Sequence, residues 1–114
     1  QKRKRDEVYA QIALERVANH YDVEAEEIKS LSREKRLMQP RKTAQYIIIE
    51  GTEWTWRKVS RFMGRSDHTT SQNAHRKVER RLEHDIDFRE RVIELTKEIE
   101  LMTEATLKLL QKEG

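Results

Sequence analysis

The chain has 114 residues, with 24 Lys or Arg against 21 Asp or Glu and a formal charge of +3. One domain is the default at this length. With no Cys, disulfide scaffolds, thiolate metal sites and cysteine nucleophiles are excluded. Three Gly and one Pro are too few for a turn-rich sheet fold, so helices joined by short turns are expected. The longest apolar run, Tyr46-Ile47-Ile48-Ile49, falls far short of the roughly 18 residues of a membrane span. No secretory pattern opens the chain, because Lys2 to Arg5 leads into Asp6 and Glu7.

The charge is uneven. Residues 29–81 hold 14 basic and five acidic side chains, residues 82–114 five and nine, and residues 1–28 five and seven. A basic middle between acidic ends suits a nucleic-acid surface, and equally a solvated helical face.

In chain order, the Lys2-Arg3-Lys4-Arg5 run reads as a disordered arm or solubilising tail. A first helix is expected over residues 6–20, where Val8, Ile12, Val17 and Tyr21 form a stripe widened by Ala13 and Leu14. A short second helix covers 23–31. Glu24, Glu26 and Glu27 complement its dipole, and Ile28 and Leu31 face inward. A basic connector leads to Pro40, which opens a third helix over 40–50. Ala44, Ile47 and Ile48 bury its inner face, and Gly51 ends it. Thr55 caps a helix over 56–63, with Val59, Phe62 and Met63 on one face and Gly64 at its end. Ser66 or Asp67 caps the next helix, 67–84. Its apolar stripe is narrow: Ala74, Val78 and Leu82. Thr69, Thr70, Asn73, Arg76, Lys77, Arg80 and Arg81 lie opposite. Asp87-Phe88-Arg89-Glu90 reads as a capping box for a final helix reaching about Lys112. There Phe88, Val92, Leu95, Ile99, Met102, Thr106 and Leu109 make a heptad seam. The seam either packs back onto the domain or meets a second copy or partner. The expected division is a helix-turn-helix domain with supporting helices over 1–84 and an amphipathic C-terminal helix over 85–114.

A short helix, a glycine turn and a longer basic helix form a helix-turn-helix, whose second helix enters the major groove. Such a reader needs small polar residues near its start, and the stretch from Ser66 to Asn73 supplies them. Asp can accept from a cytosine amino group, and a Thr methyl can meet that of thymine. Basic residues later on the helix suit phosphates. His75 and His84 are read as exposed helix residues. No histidine pair is spaced for zinc. Trp54 and Trp56 could stack bases, but core packing of at least one is expected. No carboxylate cluster or catalytic triad spacing points to an enzyme, and no cofactor or metal is implied.

Gly64-Arg65-Ser66-Asp67-His68-Thr69-Thr70, then Ala74 and Arg76-Lys77-Val78-Glu79, resembles the signature of the C-terminal DNA-binding domain of the bacterial replication initiator DnaA. Pro40-Arg41, Ala44, Glu50 and Thr52 fall in register with the same family, and the resemblance covers roughly residues 8–83. It implies an all-α helix-turn-helix domain that binds double-stranded DNA. Asp67, His68, Thr69 and Thr70 would read bases; Asn73, from the polar start of the same helix rather than from the family pattern, is a further candidate base contact. Arg33 would enter the minor groove, with Lys35 and Arg36 as near substitutes. Arg41, Lys42, Arg65, Ser66, Arg76, Lys77 and Arg80 would meet the DNA backbone. Two departures stand out. Ser66 replaces a family arginine, and Ser71-Gln72-Asn73 replaces an apolar, apolar, His run. Both suggest a recognised sequence other than the standard initiator box. No Gly-x-x-x-x-Gly-Lys-[Ser/Thr] loop occurs, so the resemblance implies a DNA-binding module rather than an ATP-driven origin melter. Stand-alone modules of this kind look like phage or gene-transfer-agent regulators of transcription in the bacterial cytoplasm. RNA polymerase or another regulator would then meet the C-terminal helix.

Overall fold

The computed structural model describes residues 2–65 and 68–113, with the side chains of His68, Thr70 and Glu113 outside the description. The cap expected at Ser66 or Asp67 therefore lies outside the described residues. All regular structure among the described residues is helical.

Helix α1 spans Lys2–His20 and buries Tyr9, Ala10, Ala13, Leu14, Val17 and Ala18 along one face. The basic run expected to be an arm is instead its first turn. Lys2 pairs with Glu53 at 3.1 Å. Arg5 pairs with Asp6 at 3.1 Å, donates to the Gly51 carbonyl and lies 4.6 Å above the Tyr9 ring. Asp6 is buried and accepts the Glu53 N–H at 3.0 Å. The acceptors that order this run come from the far end of another helix, so local charge could not announce them.

α2 covers Ala25–Lys29 and buries Ile28. It is shorter than expected, because Ser30 turns to an extended backbone. The helical register that would carry Leu31 inward ends there, and Leu31 is 79% exposed. A 3-10 turn at Lys35–Leu37 feeds α3, Met38–Gly51. This helix starts two residues before Pro40, which sits in the first turn where no N–H is needed. Ala44, Ile47 and Ile48 are buried as expected. Gly51 is the last residue of α3 rather than a left-handed terminator. A Cβ there would overlap the Tyr9 ring edge and its hydroxyl, so the close approach of α1 and α3 uses glycine here.

α4 covers Trp56–Phe62, α5 His68–His84 and α6 Ile86–Glu113. The α6 cap is Asp85 rather than the expected box at Asp87. Its Oδ1 accepts the Phe88 N–H at 3.0 Å. Arg89 reaches back to the Leu82 and Glu83 carbonyls at 2.7 and 3.1 Å, closing the end of α5.

Phe88, Val92, Leu95 and Ile99 of α6 join the same apolar cluster as α1, α3, Val59 of α4 with the following Met63, and Val78 of α5. The first half of the heptad seam thus packs back on the domain, and Arg16 pairs with Glu98 across it. The buried row continues through Thr103, whose hydroxyl donates to the Ile99 carbonyl at 2.7 Å. Met102 and Leu109 are exposed. Among the described residues no helix is long and apolar enough to cross a membrane.

Candidate nucleic-acid interface

The core of the site is α4, a tight turn and α5. Thr55 Oγ1 accepts the Lys58 N–H at 3.1 Å and starts α4. At its end, Gly64 N–H reaches the Arg61 carbonyl at 3.0 Å and Arg65 N–H the Ser60 carbonyl at 2.7 Å. This is a Schellman closure, and it needs a left-handed residue at Gly64, where φ is 76°. A Cβ at Gly64 would also lie 2.5 Å from the Lys29 carbonyl oxygen. The glycine therefore fixes both the turn and its approach to α2.

α5 is held against α4 by Ser71, whose hydroxyl meets that of Ser60 at 2.6 Å, both buried. Ser71 is thus a packing residue, not part of the exposed polar run. Its spacing of three from Ala74 and seven from Val78 was the signal. A serine on an apolar stripe is easily read as polar surface.

His75 also turns inward, contrary to its expected exposure. Its side chain is only 12% exposed. The ring stacks on Tyr46 at 4.9 Å and meets Trp56 edge-on at 5.1 Å. Its nitrogens lie 2.8 Å from Glu50 and 3.2 Å from Glu79. This cluster ties α5 to α3 and α4. Trp54 is likewise used in packing, edge-on to Phe62 at 5.4 Å.

These supports leave one face of α5 outward. Thr69, Asn73, Arg76, Lys77 and Arg80 are exposed on it. Beside it lies a groove of about 420 Å³ lined by Arg33, Met38, Arg41, Lys42, Gln45, Arg65, Asn73, Ala74 and Lys77. The connector, α3, the turn and α5 therefore deliver five cations to one place. None of the described lining residues is a carboxylate. Arg65 Nη1 is buried there without a hydrogen-bond partner. Such an arrangement favours a polyanion, because unpaired crowded cations lose repulsion when an anion arrives.

Arg41 differs from its neighbours. Its guanidinium donates to the carbonyls of Ile28, Glu27 and Ser30 at 2.9, 3.2 and 2.8 Å. Burial, followed by the nearby Arg65 charge, lowers its ionisation below the ordinary guanidinium value. Arg36 is tied to Glu27 and Glu34, and its hydrogen bond holds the Glu27 carboxyl below the usual range. Lys35 is exposed. Ser66 and Asp67, and the side chains of His68 and Thr70, lie outside the described residues.

Residues 9–78 match the family model described as the bacterial dnaA protein helix-turn-helix. The chromosomal replication initiator protein DnaA of Chloroflexus aggregans is 28% identical over 99 residues, which is 87% of this chain and 21% of that protein. A crystal structure of a DNA replication initiation factor superposes with a TM-score of 0.73 and 35% identity, over 85% of this chain and 29% of that one. The chain thus spans about a fifth to a third of the proteins it matches. The family match runs from α1 into α5 and takes in α4, the turn and the first eleven residues of α5: this chain belongs to the bacterial DnaA helix-turn-helix family.

Proposed function

We propose that the chain binds double-stranded DNA in a sequence-specific manner and regulates transcription. The observation that carries the binding reading is the groove with five cations and no described carboxylate, set against the exposed face of α5. With α5 in the major groove, Asp67, His68, Thr69, Thr70 and Asn73 face base edges. Arg33 enters the adjacent minor groove. Lys42, Arg65, Lys77, Arg76 and Arg80 neutralise phosphates, with Lys35 at the margin. Arg41 acts one step back, by fastening α2 beside the groove. No catalytic chemistry is assigned.

The alternative is the DNA-binding part of a replication initiator, which the names of the two relatives favour. Genome-wide mapping of bound sites separates the two. Regulation predicts many promoter sites, including those of phage or gene-transfer genes, whereas initiation predicts one dominant origin locus. A duplex-binding assay tests the shared premise. Affinity should fall steeply with salt as phosphate contacts release counterions. Salt-insensitive binding, or none to any member of a randomised duplex pool, would instead support a protein adaptor acting through α6.

A further inference from the structure

The far half of α6 leaves the domain with an unpartnered apolar row. Leu101 is 68% and Leu109 61% exposed, with Met102 at 40% beside them. Ala105, between the two leucines, is exposed as well. Residues four apart share a helix face, so Leu101, Ala105 and Leu109 form one line with a small residue at its centre. A charged line runs alongside it: Glu100, Glu104, Lys108 and Lys112, all exposed. It is acidic in its first half and basic in its second. Glu100 borders a cleft with Arg5 and Tyr9, whereas Glu104, Lys108 and Lys112 make no ion pair among the described residues. The adjoining side of this end is turned to the domain, where Leu107 and Leu110 line a cleft with Lys2, Lys4 and Arg5. All of α6 lies beyond residues 9–78, which match the family.

We infer that this face takes a second copy of the same chain, packed antiparallel about a twofold axis near Ala105. A twofold interface must be complementary to itself. Reversal places Leu101 of one copy over Leu109 of the other and lets the two Ala105 residues approach closely. It also brings Glu104 beside Lys108 of the opposite copy. Parallel pairing would place the two charged lines on opposite sides of the seam, where they cannot meet. The overlap is about four turns, less than a standard interface of roughly 1,200–2,000 Å², so the dimer is reversible and forms at high concentration.

Sedimentation equilibrium of the full chain across a wide concentration range tests this. A monomer–dimer equilibrium is expected. Leu109→Glu should weaken it by roughly tenfold or more, as should Glu104→Lys. The double variant Glu104→Lys/Lys108→Glu should recover most of the loss. Since the chain has no cysteine, Ala105→Cys introduces a lone thiol close to its own copy, which should cross-link on oxidation far faster than a control thiol from Glu90→Cys. A chain that stays monomeric at every concentration overturns the inference. So does a dimer indifferent to both single changes, or an Ala105→Cys chain that cross-links no faster than the control. Circular dichroism confirms that each variant keeps its helices.

Discussion

Around α2 and the α5–α6 junction, arginines are tied into the protein, whereas on the outward face of α5 and in its groove the cations have no carboxylate partner among the described residues. Arg41 satisfies three carbonyls. Arg81 reaches Asp85 and Gln39 and lies 4.0 Å above the Phe88 ring. Arg89 closes α5. Arg33, Lys42, Lys77, Arg76 and Arg80 make no such contacts among the described residues. The same charge serves two purposes. A guanidinium tied to the chain's own acceptors stabilises the fold. An open one contributes little to the fold and dominates the response to a polyanion.

The largest effect should come from the turn that joins the two regions. Gly64→Ala combines a φ of 76° with the 2.5 Å approach to the Lys29 carbonyl. It should lose about 2–4 kcal/mol of stability by urea denaturation. An unchanged midpoint would mean that the turn can relax and does not fix α5.

Arg41→Ala should cost about 2–3 kcal/mol, because three carbonyls lose a charged donor. It belongs to the tied class only if the thermal midpoint falls. A normal midpoint with weakened DNA binding would move Arg41 into the open class. His68→Ala should leave stability alone and cost about 1–3 kcal/mol at the preferred DNA site, flattening sequence preference. Survival of both affinity and preference would remove His68 from the reading set. Lys77→Ala should weaken all duplexes alike and reduce the salt slope by roughly one. Loss at one sequence only would make Lys77 a base reader.

The smallest effect concerns pH. The Asp85 carboxyl is lowered from 3.8, first by the Phe88 N–H and then by Arg81. Its contribution is therefore present above pH 3.8 and is lost as pH falls through the lowered folded value. Asp85→Asn keeps a capping side chain but cannot titrate. It should flatten the acid limb of the stability curve, measured by circular dichroism of α6. An identical acid limb would show that Asp85 does not anchor this junction.

Much of the scaffold was legible because its signals are local. Thr55 before a helix, Gly64 after it, and apolar residues at helical spacing each act within one or two turns. The helix-turn-helix motif is contiguous, so its two helices and the turn between them could be placed from order alone, whereas the proposed reading residues came from the family resemblance. The misreadings share another origin. Ser71 and His75 look like solvent-facing polar residues until Ser60, Tyr46, Trp56 and Glu50 arrive from elsewhere. Lys2 to Arg5 looks like a tail until Gly51 and Glu53 supply its acceptors.

The sequence by itself determined the helical class, the turn between α4 and α5, and the basic middle of the chain. Those depend on backbone preference, spacing and composition, which neighbours in the chain can specify. Only the tertiary structure decided which cations stay open and which are bound. It also decided that the first half of the α6 seam is covered by α1 while Leu101 and Leu109 stay exposed. A side chain's partner is set by whichever helix packs beside it, and that choice depends on long-range packing.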